Sequence, residues 1–122
     1  MRVLVIDDDD QMRTLLRQVM EWAGYEVVEA GDGREGMQKQ RKQPADLVIT
    51  DLIMPEQEGL ETISSLKKEY PGIKIIAISG GGRIGPEAYL PAAQELGADK
   101  VFSKPFDVRE LAEAVKELLS YD

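Results

Sequence analysis

Five short runs rich in Val and Ile, each followed by an amphipathic or glycine-bounded segment, constrain the fold of this chain more than any other feature. The runs fall at Val3–Ile6, Glu26–Glu29, Leu47–Thr50, Lys74–Ile78 and Lys100–Ser103. Near-continuous apolar strands require a sheet covered on both faces. Regular alternation of strand and helix predicts a doubly wound α/β domain, with a five-stranded parallel sheet and right-handed crossovers. At 122 residues the chain has the size of one compact domain, expected to span 1–122.

The intervening segments carry helix signals. Over 11–23, Met12, Leu15, Leu16, Val19 and Ala23 recur at helical spacing, with Asp9 or Asp10 as N-cap and Gly24 as the stop. Asp32 and Glu35 form a capping-box pattern that opens a second helix running to about Gln43, before Pro44. Leu60, Ile63, Leu66 and Tyr70 mark a third, closed by Pro71-Gly72. The glycine-rich run from Gly80 to Pro86 reads as a long flexible loop, and a shorter helix is expected near 88–96 with Pro91 in its first turn and Gly97 as its end. Asp107 and Glu110 cap a last helix whose inward residues are expected to be Leu111, Val115 and Leu118. Trp22, Tyr89 and Tyr121 read as packing or interface residues.

Composition removes several chemistries. The chain has neither Cys nor His, which excludes disulfides, thiolate and imidazole metal sites and a Ser-His-Asp triad. A net charge of −8 argues against direct nucleic-acid binding and favours a cation. Neither a membrane span nor a signal peptide is evident, so a cytoplasmic location is expected.

In open parallel sheets ligands bind at the carboxyl ends of the strands, near the point where strand order reverses. Asp7 and Asp8 follow the first strand, Asp51 the third, Ser79 the fourth and Lys104 the fifth. In the strand order 2-1-3-4-5, strands one and three are neighbours, which would bring the three aspartates together. Two carboxylates about 4 Å apart repel by roughly 4 kcal/mol at an effective dielectric of 20, so such a cluster needs a proton or a counter-ion. Oxygen-only ligands favour Mg2+, or Mn2+, over zinc. Magnesium suits phosphoryl transfer, with Asp51 as nucleophile, Lys104 as a point charge for a phosphoryl oxygen and the Ser79 hydroxyl donating to another. Singly, each of these residues reads more simply as a cap, a turn residue or a solvated charge. Their joint placement favours a site.

The motifs Val3-Leu4-Val5-Ile6-Asp7-Asp8-Asp9, Asp46-Leu47-Val48-Ile49-Thr50-Asp51-Leu52-Ile53-Met54-Pro55, Gly59, Ile78-Ser79, Gly97-Ala98-Asp99 and Lys104-Pro105-Phe106 together resemble the response-regulator receiver domain along nearly the whole chain. The resemblance implies a flavodoxin-like (βα)5 fold and a phosphoacceptor at Asp51. It implies Mg2+ bound by Asp8, Asp51 and the backbone carbonyl of Ile53, with Asp7 acting mainly through water. It further implies a histidine kinase or phosphotransfer protein as donor, Ser79 as the switching hydroxyl and a cis peptide at Lys104-Pro105. Two positions depart from the family pattern. Val101 stands where many receivers keep an aromatic residue, with Phe102 on the opposite strand face, and the Gly80–Gly85 run suggests a more mobile output surface.

The expected function is a phosphoacceptor switch that acts catalytically only on its own phosphorylation and dephosphorylation, and that signals by changed binding to a downstream protein. The alternative is a receiver-like scaffold that binds its partner independently of phosphorylation. A turnover phosphatase is disfavoured for want of a lid or substrate pocket.

Overall fold

The structure is a computed structural model describing residues 1–52, 59–79 and 86–120, with 86–90 as backbone only. Strands β1 (Arg2–Ile6), β2 (Glu26–Ala30), β3 (Leu47–Asp51), β4 (Lys74–Ser79) and β5 (Lys100–Ser103) alternate with helices α1 (Asp10–Trp22), α2 (Gly33–Lys42), α3 (Gly59–Glu69), α4 (Pro86–Leu96) and α5 (Val108–Leu119). The strands form one parallel sheet in the order β2-β1-β3-β4-β5. This is the expected flavodoxin-like arrangement.

Side chains alternate across the sheet and divide the core in two. Leu4, Ile6, Val48, Ile75 and Ala77 pack with Met37 of α2, Ile63 and Leu66 of α3 and Ala93 of α4. Val3, Val5, Leu47, Ile49, Ile76 and Ile78 pack with Leu16 and Met20 of α1 and Leu111, Val115 and Leu119 of α5. The apolar runs of β1, β3 and β4 are continuous because each strand faces both layers.

Caps follow the sequence signals, with local differences. Asp9 caps α1, its carboxylate accepting from Gln11 N at 2.9 Å and Met12 N at 3.3 Å, and Gly24 follows with φ +98°. Leu15, expected on the core face, is 40% exposed, and Met20 takes the buried place one turn beyond Leu16. Trp22, expected to pack or to form an interface, is 89% exposed. Asp32 accepts from Glu35 N at 2.8 Å, while Glu35 reaches past the cap residue to accept from Gly31 N at 2.5 Å. Asp107 caps α5, Leu111 and Val115 are buried as expected, and Leu118 packs partly buried at the flank of the same core with Leu119 buried beside it.

Helix α4 starts two residues earlier than expected. Pro86 occupies the first helical position, where a missing N–H costs nothing, and so belongs to the helix and not to the preceding loop. Pro91 consequently lies inside the helix, not in its first turn, and deletes one backbone hydrogen bond there. Gly97, with φ +117°, ends the helix as expected. The Gly80–Gly85 run, Tyr121 and the side chain of Tyr89 lie outside the described residues.

Gly59 fixes how closely α3 approaches the end of β3. Its N–H donates to Leu52 O at 3.0 Å, and a Cβ there would be driven into the Asp51 carbonyl oxygen and Leu52 Cα, backbone atoms that cannot swing away. Gly59→Ala should therefore destabilise the fold by about 1–3 kcal/mol. Gly72→Ala, with open space around it, should stay within about 0.5 kcal/mol of wild type. Urea unfolding of both variants checks this, and equal midpoints would show that α3 can shift at little cost.

Candidate functional site

The chain leaves β1 for β2 on one side and returns to β3 on the other, so the strand order reverses between β1 and β3. Register pairs Ile6 with Thr50, which places Asp7 and Asp51 side by side at the carboxyl ends. Asp8 follows on the exposed edge. Carboxylate oxygens of Asp7, Asp8 and Asp51 lie within 4.8 Å of one another.

Lys104 closes the group from the end of β5. Its Nζ is 3.8 Å from Asp7 Oδ2 and 3.8 Å from Asp51 Oδ2. Three carboxylates against one ammonium leave these four side chains with a net charge of −2. Asp7 is 1% exposed, and that burial raises its pKa above 3.8. The Asp9 N–H, donating to Asp7 Oδ1 at 2.9 Å, and the Lys104 charge oppose the rise, while Asp8 and Asp9 add to it.

Ser79 ends β4, beside β3, where Asp51 pairs with Ile78. Its carbonyl accepts from Lys104 N at 2.8 Å, joining two of the expected site residues through the backbone. Its hydroxyl is fully buried and has no hydrogen-bond partner among the described residues. A buried donor left without an acceptor costs on the order of 1–3 kcal/mol, which a ligand oxygen would relieve. The Lys104-Pro105 peptide is cis, as expected. The Ile53 carbonyl and the Met54-Pro55 pair lie outside the described residues.

The structure thus brings Asp7, Asp8, Asp51 and Lys104 together and sets Ser79 at the adjacent strand end. One neighbour escaped the sequence reading: Arg13 of α1 donates from Nη1 to the Asp7 carbonyl at 2.7 Å. Its i,i+3 spacing from Asp10 was visible as a helix pair, but a side chain folding back onto a loop carbonyl leaves no sequence pattern.

A doubly wound α/β domain with an acidic crevice at its switch point and a lysine over it has the layout of a receiver domain of the two-component class. Residues 3–116 match the response regulator receiver domain, and the chain belongs to that family. It is 36% identical over 118 residues to the chemotaxis protein CheY of Thermotoga maritima, covering 96% of each chain. It is 31% identical to the sporulation initiation phosphotransferase F of Bacillus subtilis, over 97% of this chain and 93% of that one. Against the alkaline phosphatase synthesis regulator PhoP of the same organism, at 32% identity, it spans about half the relative's length, 48%. Among solved structures, a CheY-like receiver domain protein from Methanospirillum hungatei superposes with a TM-score of 0.89 at 33% identity, over 98% of this chain and 93% of that one. No helix among the described residues is long and apolar enough to cross a membrane.

The raised pKa of Asp7 has a stability consequence. Between 3.8 and its folded value the native state holds more protons than the unfolded chain, so this group's contribution falls as pH rises through that window. Without divalent cations, Asp7→Asn should therefore stabilise the fold at neutral pH, by an amount that shrinks as pH falls toward 3.8. Thermal melting across pH tests this, and an Asn variant less stable than wild type at neutral pH would refute it.

Proposed function

We propose that this receiver accepts a phosphoryl group on Asp51 in a Mg2+-dependent reaction and signals by changed binding to a downstream protein. The observation that carries this reading is the convergence of Asp7, Asp8 and Asp51 with Lys104 bridging two of them. The oxygen-only donor set suits a hard cation, and the Ser79 hydroxyl, without a partner among the described residues, suits an incoming phosphoryl oxygen. Asp8 and Asp51, with the Ile53 carbonyl, would hold Mg2+, and Asp7 would act mainly through water. Mn2+ meets the same oxygens. When bound, the cation neutralises charge on the transferring group and relieves the carboxylate repulsion.

An Asp51 carboxylate oxygen attacks phosphorus of a phosphohistidine on a histidine kinase or phosphotransfer protein. A P–O bond to Asp51 forms, the P–N bond breaks, and the imidazole keeps the electron pair. Lys104 meets charge on one phosphoryl oxygen and the Ser79 hydroxyl donates to another, so the protein contributes position and field. The domain spans 1–122 and acts catalytically only on its own phosphorylation and dephosphorylation. The acidic surface, net −8, favours a protein output over direct nucleic-acid binding. A cytoplasmic location fits phosphoryl transfer from such a donor.

Intact-protein mass after incubation with a small acyl phosphate should show one Mg2+-dependent phosphoryl addition, absent in Asp51→Asn. Unchanged labelling of the variant would move the acceptor elsewhere. No labelling of wild type, alongside a control receiver that is labelled, would favour a constitutive scaffold. Mg2+ should also raise the melting temperature of unphosphorylated protein, since a ligand at a hundred times its dissociation constant stabilises the native state by about 2.7 kcal/mol. A flat response up to millimolar Mg2+ would count against the cation site.

A further inference from the structure

Asp7 and Asp8 enter the acidic cluster by different means. Asp7 is buried and tied on three sides: its N–H donates to Ala30 O at 3.1 Å, its Oδ1 accepts from Asp9 N, and its carbonyl accepts from Arg13. Asp8 is exposed, and its side chain makes no hydrogen bond or ion pair among the described residues. The direction of the Asp8 side chain therefore rests on the peptide plane that joins it to Asp7. The oxygen of that plane is the one Arg13 holds, at 2.7 Å.

Arg13 is itself braced. Its Nη2 donates to Asp10 Oδ1 at 2.5 Å and its Nε lies 3.4 Å from Glu29 Oε1. The second Glu29 oxygen lies 3.5 Å from Arg17 Nη1, and the Glu29 carbonyl accepts from Lys39 Nζ at 2.5 Å. One guanidinium thus links the β1–α1 turn, the first turn of α1 and the end of β2. Its flat fork of donors allows this, whereas a lysine would offer one point charge.

We propose that Arg13 is a positioning residue for the acidic site, holding the Asp7–Asp8 peptide so that the Asp8 carboxylate joins Asp7 and Asp51 to bind a divalent cation. The inference rests on the reading of that cluster as a Mg2+ site. Geometry and charge act in opposite directions here, which makes the role separable. As a charge, Arg13 repels a cation, and removing it would tighten binding. As a brace, it pre-organises a ligand, and removing it would weaken binding. Asp10 and Glu29 flank the Arg13 guanidinium and offset its charge toward the site, which leaves the brace dominant.

Isothermal titration of the full chain with Mg2+ at fixed ionic strength tests this in wild type, Arg13→Lys and Arg13→Ala. Both variants should bind roughly tenfold more weakly, the lower end of what partners that orient metal ligands contribute. At saturating Mg2+ both should take up a phosphoryl group from acyl phosphate to the wild-type extent. Wild-type or tighter Mg2+ affinity in folded variants would overturn the inference and leave Arg13 a charge only. Loss of cooperative melting in both would also overturn it, assigning Arg13 to fold stability. Absence of Mg2+ binding by wild type would instead remove the cation reading beneath it, a result distinct from either.

Discussion

Mutual repulsion among three carboxylates at one end of the sheet is the constraint to which the rest of the domain answers. Asp7 and Asp51 stand side by side because β1 and β3 are neighbours in register, and Asp8 joins them within 4.8 Å from the turn that follows β1. A single pair at about 4 Å costs roughly 4 kcal/mol at an effective dielectric of 20. Burying one large aliphatic side chain contributes about 1.5–3 kcal/mol. A few residues of the two core layers, such as Ile6, Ile49 and Ile76, suffice to hold the aspartates where they would not gather alone.

The site is also where the domain breaks the rules its interior otherwise keeps. Gln40, buried at 1% exposure away from the site, is satisfied: it accepts from Ala45 N and donates to Ala45 O. Ser79 is equally buried and its hydroxyl meets nothing among the described residues, while Asp7 is buried with its pKa pushed up. Two such departures side by side at the strand ends mark function more than imperfect packing. The turn around Asp7 is tied from behind by hydrogen bonds to Ala30, Asp9 and Arg13.

Most of the frame was legible in the amino-acid sequence because the physics behind it is local or periodic. Val- and Ile-rich runs located all five strands, and Asp9, Asp32 and Asp107 announced three helix starts through their side-chain chemistry. The site residues were visible because a parallel sheet turns sequence position into spatial position at the strand ends. What escaped depended on tertiary context. Leu15 and Met20 are both apolar on a helical repeat, and only the angle at which α1 meets the sheet decides that Met20 is buried. Pro86 and Pro91 both fit a first turn, and the chain's path chose the earlier. Arg13 reaches a backbone carbonyl, an acceptor every residue possesses and no sequence pattern distinguishes.

The far edge of the sheet shows how the site is joined to the surface around α4. Val101 packs on the side of the core that holds Ala77, Ala93 and Ala98, all small, while Phe102 turns to the other layer and meets Phe106 at 6.3 Å between ring centroids. A β-branched residue has few χ1 options and no ring to swing between buried and exposed positions. Beyond the paired strands, the ends of β4 and β5 are joined by the backbone bond from Lys104 N to Ser79 O. Both residues flank the acidic cluster, one as a charge and one as a hydroxyl, so the last hydrogen bond of that edge pair lies at the site itself.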